Sequence, residues 1–195
     1  MTEIEKLNNK MEIETIKAFN KKVVTGNGPL QADIVLIGEA PGANEQAQGI
    51  PFVGKAGQNL NEVLKKAGIE REKVYITNTV KIRPTKISDK TGKDINRPPN
   101  RKELDFFVPF LYEEINIIEP KIIVTLGNFP LKYVSENQNR VIGSCHGVMT
   151  NTNICGKEYK LFPMYHPASV IYNRQLFDIY VADWIKLGEI IRKGI

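Results

Sequence analysis

The sequence predicts an α/β fold in which a parallel sheet is covered by helices on both faces. Three observations predict it. Short apolar runs of strand type alternate four times with helical patterns along the chain. Two of those runs lead straight into loops rich in glycine or proline, as the carboxyl ends of strands do in open α/β sheets. At 195 residues, 42% of them hydrophobic, the chain has enough apolar side chains for one core, so a single domain over 1–195 is expected.

The elements follow in order. Residues 3–20 read as an amphipathic helix carrying Ile4, Leu7, Met11, Ile16 and Phe19. Gly26-Asn27-Gly28-Pro29 is a turn. The first strand spans about 33–38, and a Gly-rich stretch runs from it to Gly57. Residues 57–67 form a helix with Leu60, Val63 and Leu64 inward, two lysines in its last turn and Gly68 as its stop. The second strand is about 73–78. A polar stretch from Pro84 to Arg101 carries Lys86, Lys90, Lys93, Arg97 and Arg101. A helix over about 101–118 turns Leu104, Phe107, Val108, Leu111, Ile115 and Ile118 inward. The third strand is Ile122–Leu126, followed by a short helix near 129–136. Residues 139–163 suggest a hairpin or an irregular crossing. The last strand ends at His166, and a helix covers about 174–192.

Two segments carry the chemistry. Gly38-Glu39-Ala40-Pro41-Gly42, with Gly49-Ile50-Pro51-Phe52-Val53-Gly54-Lys55-Ala56-Gly57, follows the first strand. His166-Pro167-Ala168-Ser169 follows the last. Ligands of open α/β sheets bind outside the carboxyl ends of the strands, so both segments are expected at one rim, facing one pocket. Glu39, Phe52 and His166 supply a carboxylate, a stacking surface and an imidazole.

These motifs resemble the uracil-DNA glycosylase superfamily, most closely its family 4. Residues 38–57 are similar to the family's GEAPG, a Glu, then G-x-PFVG-x-AG. Val74-Tyr75-Ile76-Thr77-Asn78 with Val80-Lys81-Ile82-Arg83-Pro84 is similar to its YITN-x-VKCRP, and the His-Pro loop at 166 to its last motif. Any one motif is weak evidence; three in order are specific. The resemblance implies a three-layer α/β/α sandwich with a central four-stranded parallel sheet. It also implies hydrolysis of the N-glycosidic bond of uracil in DNA, in base excision repair, by a monofunctional glycosylase that leaves an abasic site. No catalytic lysine is assigned, and the loop 84–101 contains no histidine to attach to the sugar.

A base buried in the stack must be extruded into a pocket before its glycosidic bond is broken. The resemblance assigns Phe52 as the surface on which uracil stacks. The amide of Asn78 can accept from uracil N3–H and donate to O4, a pattern that cytosine reverses. His166 can donate to O2 and stabilise the departing anion, an oxyanion-hole role. Glu39 is the candidate to position the attacking water. Glu45 is a candidate for the pocket wall, and the Ala40 N–H for a contact to the base. The family's Glu-Asp reads Glu45-Gln46 here, which puts water activation in question. Lys81, Arg83, Asn128 and Ser169 are the candidate DNA contacts, of the kind that position the duplex without reading its sequence. His146, between Cys145 and Gly147, lacks such a context.

Composition bounds the rest. There are 27 Lys and Arg against 22 Asp and Glu, a net +5 that permits a polyanionic partner without requiring one. No run approaches the roughly 18 apolar residues of a membrane span. The charged start Met1-Thr2-Glu3-Ile4-Glu5-Lys6 is unlike a secretory signal, so a cytoplasmic protein is expected, and the resemblance implies a monomer acting on uracil-containing DNA. Family 4 enzymes typically hold an iron–sulfur cluster on four cysteines. The corresponding positions here are Met11, Glu14, Ile82 and one near Phe107, so no cluster is expected. The only cysteines are Cys145 and Cys155, and adjacent Cys145-His146 is poor zinc-ligand spacing, so no metal is expected. Two alternatives stay open: a non-catalytic DNA- or uracil-binding module, and a glycosylase of the same fold acting on hypoxanthine or xanthine.

Overall fold

The computed structural model describes residues 1–135, 139–170 and 173–194. The central sheet contains β1 (Ile34–Gly38), β2 (Val74–Asn78), β5 (Ile122–Leu126), β6 (Thr150–Ile154) and β7 (Lys157–Met164), in the order β2-β1-β5-β7-β6. The four strands expected from the sequence are parallel. The sheet has a fifth strand, which corrects the expected count of four: β6 pairs antiparallel with β7. Its two-residue turn, Cys155-Gly156, has both residues at positive φ, 52° and 86°. That geometry matches the right-handed twist of a tight hairpin. This is the hairpin expected within 139–163; the polar segment Thr150-Asn151-Thr152-Asn153 lacks the apolar run that marks a sheet strand, so β6 falls outside the expected count.

Alternation along the strands builds the layers. Ile34, Leu36, Ile76 and Val124 face one side of the sheet, where α3 (Lys55–Ala67) and α7 (Arg174–Arg192) cover them with Leu60, Leu64, Tyr180 and Trp184. Val35, Ile37, Tyr75 and Ile123 face the other side. There α4 (Arg101–Ile118) and α5 (Asn128–Val134) supply Leu111, Ile115 and Leu131. α3 stops at Ala67 under a left-handed Gly68, as its sequence signals. α5 begins at Asn128; its expected end at 136 lies outside the described residues.

A third cluster closes the end beside β2. Ile4, Leu7 and Met11 of α1 (Glu3–Phe19) meet Leu104, Phe107 and Phe110 of α4, with Val80 and Ile82 between them. Thr2 and Asn100 start these two helices with reciprocal side-chain caps through Glu5 and Glu103.

Several short elements were not foreseen. The Gly-rich loop contains a short helix, α2 (Ala43–Gln48). The polar stretch 84–101 folds into an antiparallel ribbon of β3 (Thr85–Ile87) and β4 (Asp94–Asn96). α6 (Ile142–Cys145) is a single turn ahead of β6. Among the described residues, no helix is long and apolar enough to cross a membrane.

Candidate active site

β1 and β2 end level, with Gly38 opposite Asn78, and β5 and β7 end level, with Leu126 opposite Met164. The four carboxyl ends therefore form one rim, and the loops after β1 and β7 meet across it. Two adjoining cavities result. The first, about 310 Å³, is lined by Ala40, Glu45, Phe52, Asn78, Asn96 and His166. The second, about 620 Å³, is lined by Glu39, Asn128, Tyr133, Tyr165, His166 and Ser169. His166 is the wall they share.

Phe52 and Asn78 approach each other through an absent side chain. A Cβ on Gly38 would lie 2.4 Å from Asn78 Oδ1 and 2.6 Å from Phe52 Cζ, so only glycine admits both. Phe52 itself is in the left-handed region, φ 56°, which an aromatic residue rarely adopts. It is held there from behind: a Cβ on Gly57 would fall 1.8 Å from the Phe52 carbonyl oxygen. The Phe52 and His166 rings are 6.0 Å apart, centroid to centroid, and inclined at 39°. Asn78 is 2% exposed, and its amide bonds to no protein group among the described residues. A buried amide without a partner is costly, so it is built to receive one from the cavity.

His166 Nδ1 accepts the backbone N–H of Ala168 at 3.1 Å. The ring proton of the neutral imidazole is thus placed on Nε2, as a donor. Burial pushes the His166 pKa down to about 4, so the ring is neutral at pH 7. The Glu39 carboxylate, half-buried, has no hydrogen-bond or ion-pair partner among the described residues, and burial raises its pKa above the usual carboxylate value. It lies in the second cavity rather than the first.

Glu45 is differently placed. Its Oε1 accepts from Val53 N (3.1 Å) and Gly54 N (2.7 Å), and its Oε2 from Gly42 N (3.1 Å). The carboxylate ties the loop after β1 to the Phe52 loop while forming part of the cavity wall. Gln46, where the family reads Asp, lines neither cavity.

Among the expected DNA contacts, Lys81 is corrected. It is fully buried and ion-paired with Glu114 at 2.5 Å, beside Thr77, while Tyr75 donates to the same carboxylate at 2.8 Å. A phosphate cannot reach it. The pair ties β2 and the segment after its carboxyl end to α4, and losing one partner of such a pair costs roughly 3–5 kcal/mol. Arg83 bonds Asn96 Oδ1 through Nε at 2.7 Å. Asn128 is exposed and accepts from Ile142 N at 2.6 Å, so its amide N–H groups remain for a ligand. Ser169 is exposed, but its hydroxyl donates to the His166 carbonyl at 2.7 Å and would have to swing to reach a phosphate. His146 lines neither cavity and pairs with Asp183 at 2.7 Å. Asn96 was missed: nothing in its polar surroundings marks it, and the folding back of the ribbon alone brings it to the cavity.

The sequence model of the uracil DNA glycosylase superfamily matches residues 25–187, a span that contains both loops and every strand of the central sheet. The chain belongs to the uracil DNA glycosylase superfamily. It is 39% identical over 176 residues to the type-4 uracil-DNA glycosylase of Sulfurisphaera tokodaii, covering 88% of this chain and 76% of that one. It is 37% identical over 173 residues to that of Archaeoglobus fulgidus, covering 87% and 82%, and 38% identical over 173 residues to that of Thermotoga maritima, covering 88% and 84%.

The residues present do not fit the iron–sulfur cluster that the resemblance to family 4 would imply. Met11, Ile82 and Phe107 are at most 1% exposed and join one apolar cluster. None offers a thiolate. Cys145 and Cys155 lie elsewhere, in α6 and in the β6–β7 turn. Among the described residues, no group of three His, Cys, Asp or Glu is arranged to hold a metal ion.

Proposed function

We propose that this protein is a monofunctional uracil-DNA glycosylase, a single domain that acts as a cytoplasmic monomer in base excision repair and leaves an abasic site. The observation that carries it is the unpartnered Asn78 amide facing the same cavity as Phe52 and His166. An extruded uracil stacks on Phe52 and gives N3–H and O4 to Asn78. O2 meets the Nε2–H of His166, which stabilises the charge that grows there as the glycosidic bond breaks. A neutral imidazole suits this role, because it shares a proton with the oxyanion without first losing one. Ala40 borders the base from its backbone. Arg83, Asn128 and Ser169 serve the DNA backbone on either side.

Glu39 is on the far side of His166 from the base, where the sugar follows. Its ionised carboxylate stabilises the developing oxocarbenium ion and orients the water. The three N–H groups that Glu45 already accepts favour Glu39 for that task. Glu39→Gln is expected to slow the single-turnover chemical step while leaving DNA affinity intact. It should also flatten the acidic limb of the pH–rate profile, because the parent loses its ionised Glu39 as pH falls through a raised pKa. Glu45→Gln excising slowly while Glu39→Gln keeps the parent rate would transfer the water to Glu45.

Cleavage of oligonucleotides carrying uracil, hypoxanthine or xanthine, with alkali to reveal abasic sites, tests the function. Retention of all three bases would leave a DNA-binding module. Excision of a purine alone would leave a glycosylase for another lesion.

The same proposal includes no iron–sulfur cluster: Met11, Ile82 and Phe107 pack as apolar side chains at three of its ligand positions, and the other is Glu14, which has no thiolate. Protein purified anaerobically is expected to be colourless in the visible iron–sulfur region. Stoichiometric iron and sulfide would overturn this.

A further inference from the structure

The β3–β4 ribbon has a pinned root and an open tip. At the root, Arg97 holds Glu103 of α4 through two bonds of 2.8 Å and the Thr85 carbonyl at 3.1 Å. Lys21 bonds the Arg83 carbonyl at 2.8 Å, and Arg83 bonds Asn96. Among the described residues the tip has no such tethers to the body of the fold, and it exposes large apolar side chains: Ile87 is 63% and Ile95 41% exposed. Single exposed apolar residues are ordinary on a surface, so what matters is which of these two faces the cavity.

Register decides which of them faces the site. Thr85 pairs with Asn96 and Ile87 with Asp94, so these four share one face, while Lys86 and Ile95 share the other. Asn96 lines the first cavity. Ile87 therefore stands on the cavity-side face, two residues farther toward the tip, about 7 Å beyond Asn96. The stretch 84–101 carries five basic residues against two acidic ones, with Lys90 and Lys93 in the turn and Lys86 on the outer face. Basic groups suit the phosphates of DNA. An isoleucine facing Asp94 does not suit phosphate, but suits the apolar faces of bases.

We propose that this ribbon is a DNA-engaging arm whose Ile87 inserts against the base stack beside the extruded uracil, while its lysines hold the flanking phosphates. The inference rests on the glycosylase reading above and adds a preference to it: the arm serves duplex DNA, where unstacking opposes extrusion, and is idle on single strands. Apolar wedges between base steps offset an unstacking cost of a few kcal/mol.

Single-turnover excision of uracil from a duplex and from the same single strand tests it, with Ile87→Ser, Ile87→Leu and, on the opposite face, Ile95→Ser. A 2-aminopurine beside the uracil reports unstacking. Ile87→Ser is expected to slow duplex excision by at least about tenfold, with the single-strand rate within about twofold of the parent, and to weaken the 2-aminopurine signal. Ile87→Leu should restore both, and Ile95→Ser should leave both substrates at the parent rate. An unchanged duplex rate in Ile87→Ser, or an equal loss on both substrates, would overturn the arm. A parent protein that excises uracil from neither substrate would instead overturn the glycosylase reading.

Discussion

Replacing His166 with alanine is expected to slow uracil excision by roughly 10²–10³ in the chemical step, the scale of one lost oxyanion donor. DNA affinity should barely change, because phosphate contacts dominate it. Single-turnover rates beside binding curves on a uracil-containing oligonucleotide separate the two. The same residue makes a stability prediction. Folded His166 titrates near 4 and an unfolded histidine near 6.5, so acid drives protons onto the unfolded chain first. The stabilisation is complete above about pH 6.5, declines as pH falls toward about 4, and changes no further below that. Denaturation midpoints across this window should fall less steeply in His166→Ala than in the parent. An alanine variant that excises uracil at the parent rate would remove His166 from the site.

Asn78→Ala should cut excision by one to several orders of magnitude, since a buried base edge then loses its hydrogen-bond partners. Asn78 is 2% exposed and its amide serves nothing else among the described residues, so the fold should tolerate the change better than the reaction does. Parental single-turnover rates with unchanged thermal stability would mean that the base is read elsewhere. Because Asn78 and His166 act on one bound base, their losses should not add freely in the double variant.

Much of this site is legible in the sequence because strand ends announce themselves. Ile34-Val35-Leu36-Ile37 before Gly38, and Leu161-Phe162-Pro163-Met164 before the His-Pro turn, place Glu39 and His166 on one rim without any contact being known. Asn78 follows from the same logic. Lys81 misled, because a lysine next to a pocket strand looks like a phosphate ligand until its partner is seen. Glu114 is 33 residues away on α4, and only helix-on-sheet packing brings the two together. Glu45 was hard to read for a similar reason: the backbone N–H groups that occupy it carry no side-chain signature. The ribbon and β6 lack the apolar runs that mark buried strands. Their pairing comes from turn geometry and from anchors such as Arg97 with Glu103.

The missing side chain at Gly38 also has a thermodynamic consequence. Phe52 and Asn78 sit against each other across that gap, with Phe52 fixed from behind at Gly57, before any ligand arrives. Few torsions then remain to be frozen when a base enters. An ordered side chain released from that entropic cost is equivalent to about 0.5–1.5 kcal/mol of interaction. That free energy stays available for extracting the nucleotide from its neighbours.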